Sequence, residues 1–428
     1  MTDPRAPTDP RAPTDPRAPT EPSPPAALYV HFPFCLSVCP YCDFVVYAGR
    51  AARGPASRID TLVEALQVEM RLRARPAPLD SVYLGGGTPS LLTPVQVGSL
   101  LTAANTWFGI ATGAEITLEV NPGPDERGDL AGFRTAGVTR LSVGAQSLDT
   151  AELRSLGRRH DPLDVADTVA AARRAGFDNI SLDLLYDVPG QTIDSWSATI
   201  DAALLLEPEH VSAYALALDD PDEEGLTGPA GDHLPLRPGA RRWRERARGA
   251  QDADRAADMY ELLDDRLAGA GLAWYELSNW ARPDRHSRHN LAYWTGAPWE
   301  AVGPGAHAFD GATTRRWNAA RLEAYLVALA IGRLPPGNAE TAADSTAAAE
   351  QVILRLRTAD GLPSSGLPGR AAAEAIAWAA ANGLIEHQTS GAARLTRRGR
   401  LLSNELFVRL LEPAANPPMN ARAPASTG

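Results

Sequence analysis

YVHFPFCLSVCPYCDF, residues 29–44, holds all three cysteines of the chain, Cys35, Cys39 and Cys42. Three is an odd number and the spacings are short, so this is no disulfide framework. A structural zinc site would need a fourth ligand. Iron–sulfur clusters take cysteine thiolates, one per iron, so three thiolates on a four-iron cube leave one iron without a protein ligand. In metal sites generally, an open position marks a reactive centre rather than a structural one. The apolar run Leu28–Phe32 just before the motif is a strand candidate, which puts the cysteines on the loop that follows it.

Working outward, short β-rich runs alternate with longer helical patterns. Strands are expected at Leu28–Phe32, Ser81–Leu84, Glu115–Val120, Arg140–Gly144, Asn179–Leu185 and His210–Leu216. Helices are expected at Ile59–Arg75, Pro94–Trp107, Glu126–Ala136, Leu163–Ala175 and Ile193–Leu206. Such alternation reads as parallel βα units, an α/β fold whose ligand chemistry belongs at the C-terminal ends of the strands. GGGTPS, LEVNP and GAQS all fall at such ends. A doubly wound sheet fits the alternation, but a complete or partial (β/α) barrel fits the motif placement better. Four parts are expected. Residues 1–26, with three copies of TDPRAP, form a disordered tail, since proline this dense forbids helix and ladder alike. Residues 27–340 form the barrel with an extension. Residues 341–412 read as helix, helix, hairpin, helix, a small winged-helix-like domain. Residues 413–428 form a flexible tail. Within the barrel region, residues 219–251 read as a surface insertion.

Composition narrows the function. All 41 basic residues are arginine, and the formal net charge is −11. Without lysine there is neither a Schiff base nor a standard P-loop. The acidic balance argues against a nucleic-acid partner. No apolar run reaches the roughly 18 residues of a membrane span, and no secretory signal is evident. Reduced cysteines poised for metal imply a reducing compartment, hence a cytoplasmic protein.

CxxxCxxC on the loop after the first strand of a βα barrel resembles the radical S-adenosylmethionine (radical SAM) superfamily, over roughly residues 27–310. The resemblance implies a [4Fe-4S] cluster on Cys35, Cys39 and Cys42, with S-adenosylmethionine chelating the fourth iron. Electron transfer from the cluster then yields a 5′-deoxyadenosyl radical in that superfamily. It also implies cofactor contacts at Tyr29 and Tyr41, at Gly86, Gly87 and Thr88 of the glycine-rich loop, and at Glu119, Gln146, Arg158 and Asp183. The residue types suit these roles: glycine allows close backbone approach, carboxylates accept from amine and ribose hydroxyls, and arginine pairs with a carboxylate. His31, just before the cluster loop, is expected to orient the cluster.

Within the superfamily the stretches RLSVGAQSL, DVPGQT and YELSNWA are similar to the anaerobic coproporphyrinogen III oxidase-like family. Two subgroups compete. The oxidases, which decarboxylate coproporphyrinogen III to protoporphyrinogen IX, carry a further cysteine where this chain has Phe44. The HemW-type heme chaperones lack it and carry HNxxYW, matched by His289-Asn290-Leu291-Ala292-Tyr293-Trp294. The chaperone reading implies that heme binds near His289, a natural axial ligand type, with His286 and His307 as other candidates. Heme would then pass to an acceptor protein such as a cytochrome, which could be membrane-associated. Whether productive radical chemistry occurs stays open at this stage.

Overall fold

The computed structural model describes residues 23–367 and 369–415. The expected tails at residues 1–26 and 413–428 therefore lie largely outside the described residues. Six parallel strands form the centre: β1 (Ala27–Phe32), β2 (Leu79–Gly86), β3 (Ile110–Val120), β4 (Arg140–Gln146), β5 (Ile180–Tyr186) and β6 (His210–Ala215), each paired with the next in sequence. The helices between them are α1 (Ile59–Leu72), α2 (Pro94–Trp107), α3 (Leu130–Ala136), α4 (Pro162–Arg174) and α5 (Ile193–Leu205). The helix caps are written in the sequence. Thr93, Asp161 and Thr192 each close a reciprocal capping box with the residue three positions on.

Strand order settles the choice of architecture. It runs linearly through β1 to β6, and β6 continues to the antiparallel strands Asn279–Ala281 and Ala273–Glu276 instead of returning to β1. On its other side β1 pairs in parallel with Trp299–Val302, and three antiparallel strands (His307–Phe309, Thr314–Asn318, Gly337–Thr341) extend that edge. This is the partial barrel, an open parallel sheet with antiparallel wings.

Two boundaries moved for local reasons. α3 begins at Leu130 and not at Glu126, because Asp129 accepts from the Gly132 amide and so caps the helix there. α1 stops at Leu72, short of Arg75, whose helical conformation the following Pro76 disfavours. A larger correction concerns residues 219–251. They contain the helix Pro238–Arg248, in which Arg244 is only 1% exposed. The segment is therefore integral to the interior at this point, and not merely a surface insertion.

Beyond residue 343 the chain runs helix (Asp344–Leu356), helix (Arg370–Ala381), hairpin (Ile385–His387 with Ala393–Leu395), then helix Ser403–Ala415. Val352, Leu356, Ile376, Leu395, Leu406 and Phe407 build a core of their own. An ionic cluster joins it to the main body: Arg397 and Arg400 both reach Asp264 at 2.8 and 2.6 Å, and Trp280 donates to Asp264 at 2.8 Å. Arg400 also lies over the Trp274 ring, 4.5 Å from its centroid.

Although burial pushes the Asp264 carboxyl up, its arginine and Trp280 partners hold it below the usual carboxylate value. Its stabilisation is thus present above about pH 4 and is lost as the pH falls through the depressed folded value. Asp264→Ala leaves a buried arginine unpaired, a change that costs about 3–5 kcal/mol. Thermal unfolding should show a clear fall in Tm at neutral pH, with the difference from wild type narrowing in acid.

Candidate functional site

At the C-terminal ends of the strands lies a cavity of about 430 Å³ that reaches Cys35, Cys39 and Cys42. The pleat of β4 explains much of its wall. Arg140, Ser142, Gly144 and Gln146 alternate along the strand and all face it. A register shift after Val143 aims Gln146 inward, and its backbone sits at φ 66°, a left-handed conformation that costs energy in a non-glycine residue.

The three cysteines are free thiols, partly exposed to the cavity. Among the described residues no three His, Cys, Asp or Glu side chains gather as a single-ion site would require. Three thiols on one loop suit a multi-iron cluster with one sulfur per metal. Two of the thiols have side-chain support nearby. Thr88 Oγ1 donates to Cys35 Sγ at 3.0 Å and is itself fixed by Asn121. Arg158 Nη1 lies 3.8 Å from Cys39 Sγ, and its other nitrogen donates to Asn121 and Gly144. Burial pushes the Cys35 thiol up to about 12 and raises Cys42 further. Metal loading must therefore expel protons. Arg158 supplies the opposing charge: burial works against its cation, yet Tyr41 and Cys39 beside it raise its pKa. Among the described residues its buried Nε has no hydrogen-bond partner.

The loop itself is clamped from behind. Arg244 donates to Pro40 O at 3.1 Å, to Tyr41 O at 2.9 Å and to Cys42 O at 3.0 Å, and pairs with Asp43. His31 bridges from Tyr29 to Val45 O at 3.0 Å. Nothing in the sequence pattern singled out Arg244; only its apolar neighbours Trp243 and Ala247, which pack with Leu216 and Leu218, hinted that this face is buried.

The glycine loop does two jobs. Gly86 sits at φ 105° with its hydrogen against the His31 ring, where a Cβ would lie 2.3 Å away. Its amide donates to Glu119 at 2.8 Å, and Tyr83 donates to the other Glu119 oxygen at 2.9 Å. A Cβ at Gly87 would strike the carbonyls of Phe32 and Phe34 at 2.7 Å. Burial lifts the Glu119 carboxyl to about 7 against those two hydrogen bonds. Asp183, accepting from Ser142 and Ser181 at 3.0 and 3.1 Å, is likewise raised by burial. Arg140 is 1% exposed, lines the cavity and was missed by sequence reasoning. The signal was its even spacing from Ser142, Gly144 and Gln146 on one strand.

Two expected contacts fall elsewhere. Tyr29 does not reach this cavity; it stacks behind Tyr83 and faces a second one. His289 is 1% exposed, with Nδ1 bonded to Ser81 and Nε2 to Tyr293, both within 3.0 Å. Burial takes it down to about 3, so it is neutral, and neither nitrogen is open to a metal. Any part it plays with heme runs through Tyr293. His286 stacks on Tyr275 at 4.4 Å.

An open parallel sheet with a three-thiol loop at its C-terminal edge, a glycine loop and paired carboxylates defines a radical SAM scaffold. The model of the Radical SAM superfamily matches residues 29–203. The heme chaperone HemW of Mycobacterium tuberculosis is 39% identical, covering 90% of this chain and 95% of its own length. HemW of Bacillus subtilis is 31% identical, covering 89% and 97%. Coproporphyrinogen III oxidase (HemN) from Escherichia coli superposes with a TM-score of 0.72 at 22% identity, covering 91% of both chains. This chain belongs to the HemW family of the radical SAM superfamily.

Two outcomes test the site. In anaerobically reconstituted protein, Cys39→Ala should abolish the broad visible absorption of the cluster. Arg244→Met, which leaves loop carbonyls unpaired at about 1–3 kcal/mol each, should speed cluster loss at least tenfold in a chelator challenge while the far-ultraviolet circular dichroism stays unchanged.

Proposed function

We propose that this chain is a heme chaperone: it binds heme and passes it to an acceptor protein, with a [4Fe-4S] cluster and S-adenosylmethionine in the first cavity. The near full-length similarity to HemW proteins carries this reading. The likeness to the oxidase HemN, at 22% identity, speaks for the fold alone. Phe44, standing where the oxidases carry a further cysteine, favours the chaperone. It lies on the rim of the cluster loop, 62% exposed.

The chain's own residues have the following parts. Cys35, Cys39 and Cys42 would hold three irons of the cluster, and the fourth would be free for the methionyl amine and carboxylate. Glu119, ionised, would accept from that amine. Arg158 offers its unpartnered Nε to the carboxylate. Asp183 and Gln146 stand further along the cavity for the ribose hydroxyls, and Tyr41, packed on Trp243, walls the cluster side. When bound, the cofactor and cluster together supply one-electron chemistry; in this reading they gate or tune heme transfer.

The acceptor would be a heme protein such as a cytochrome, met in the cytoplasm or at a membrane surface. Among the described residues no helix is long and apolar enough to cross a membrane.

Hemin titrated into the reconstituted protein should produce a saturable Soret band, whereas coproporphyrinogen with reductant and S-adenosylmethionine should yield no catalytic product. Multiple turnovers of coproporphyrinogen would reverse the assignment. Because Glu119 titrates at about 7 and only its carboxylate serves the amine, S-adenosylmethionine affinity should rise as the pH increases from 6 to 8. Glu119→Gln should bind more weakly and lose that dependence, which isothermal titration at several pH values would read.

A further inference from the structure

A second cavity, about 350 Å³ and open to solvent, lies on the other side of the cluster loop. Asp43 and Phe44 border both cavities, so this one adjoins the cluster without being part of the cofactor site. Its walls carry two histidines on one carboxylate. His233 Nδ1 bonds Asp232 Oδ1 at 3.0 Å, and His307 Nε2 bonds Asp232 Oδ2 at 2.8 Å. Burial opposes the Asp232 charge, but the two imidazoles hold its carboxyl well below the usual range. His233 Nε2 has no partner among the described residues. His307 stacks on Trp317 at 5.9 Å.

An imidazole whose Nδ1–H is anchored on a carboxylate and whose Nε2 is free is the usual arrangement of a metal-ligating histidine. The carboxylate fixes the tautomer and raises ligand basicity. Beside it stand flat apolar faces: Phe44, 62% exposed, and Tyr293 packed edge-on against Trp299 with ring centroids 4.6 Å apart. Aromatic faces next to one axial ligand suit a planar metallated macrocycle. The cavity would cover only part of such a ring, which suits cargo that has to leave.

Resting on the heme-chaperone reading, we propose that the cargo iron is ligated by His233 Nε2, with Asp232 as its carboxylate partner and the porphyrin lying against Phe44, Tyr293 and Trp299. His289 then acts indirectly, holding the Tyr293 hydroxyl through its 2.8 Å hydrogen bond.

The test is hemin binding to full-length reconstituted protein, read by the Soret band, by resonance Raman for the iron–histidine mode, and by the cluster absorption as a check of folding. His233→Ala should weaken hemin binding at least tenfold and abolish the iron–histidine signature while the cluster spectrum stays. His233→Gly should regain the signature when imidazole is added. Asp232→Asn should keep one hemin per chain, shift the iron–histidine mode, and bind about 10–100-fold more weakly. His289→Ala should keep the signature. If wild type binds hemin and His233→Ala matches it in spectrum and affinity, or if imidazole restores nothing, this placement is wrong while the chaperone reading stands. If wild type binds no hemin, the chaperone reading falls and takes this site with it.

Discussion

A nine-residue loop, Cys35 to Asp43, has to present three thiols in one direction with no regular structure of its own. Thiols held partly out of water resist ionisation, and three thiolates side by side repel one another. The fold meets this by gripping the loop from four distant parts of the chain. His31 fixes Val45 just past its end, Thr88 reaches Cys35, Arg158 stands at Cys39, and Arg244 gathers the carbonyls of residues 40–42. Two of the four are arginines. They offset charge that cluster loading would place there, and they do so on groups already immobilised by other hydrogen bonds. A site prepared in this way reorganises little when its metal arrives.

The cofactor cavity carries the same logic into the sheet. Its strands place polar residues on the inner face at every second position, so Arg140, Ser142, Asp183 and Ser212 surround a space enclosed by apolar packing. Because the sheet is open between β6 and β1, the strand ends form a broad mouth, and the segment from 219 to 251 reaches the cluster loop at its side through Arg244. Glu119 and Asp183 both lie in this enclosed space; burial raises both carboxyls, Asp183 raises Glu119 further, and Arg140 with neighbouring serines opposes the rise at Asp183.

Much of this was legible in the sequence, for definable reasons. The six strands, the five helices and the motifs at the strand ends are local signals: capping residues, apolar runs, glycines. The cysteine triplet and the glycine loop needed nothing beyond their spacing. Arg244 and Asp232 were not legible, because both lie in an acidic and proline-rich stretch whose composition reads as surface. Their meaning comes from partners roughly 200 and 75 residues away. His289 was visible, but the partners that satisfy it were not. HNxxYW looks like a ligand motif, yet the helix Arg288–Thr295 puts His289 and Tyr293 one turn apart on the same inward face, where they satisfy each other. Tyr29 was misplaced for a similar reason: strand alternation turned it away from the cofactor and toward the second cavity.

HNxxYW then acquires a different sense. Asn290 faces the cofactor cavity, Tyr293 faces the second cavity, and Trp294 carries the Arg357 guanidinium 4.6 Å above its ring. Arg357 caps the helix Asp344–Leu356, the first of the C-terminal region. One two-turn helix thus touches both cavities and the C-terminal body. The three side chains share a backbone of eight residues. Coupling through this helix needs a differential contact in each state. Tyr293 supplies one candidate, because its hydroxyl is tied to His289 and its ring to Trp299. The loop residues Asp43 and Phe44, common to both cavities, supply the other. At position 44 stands an exposed phenyl ring, 62% open, on the border of both cavities.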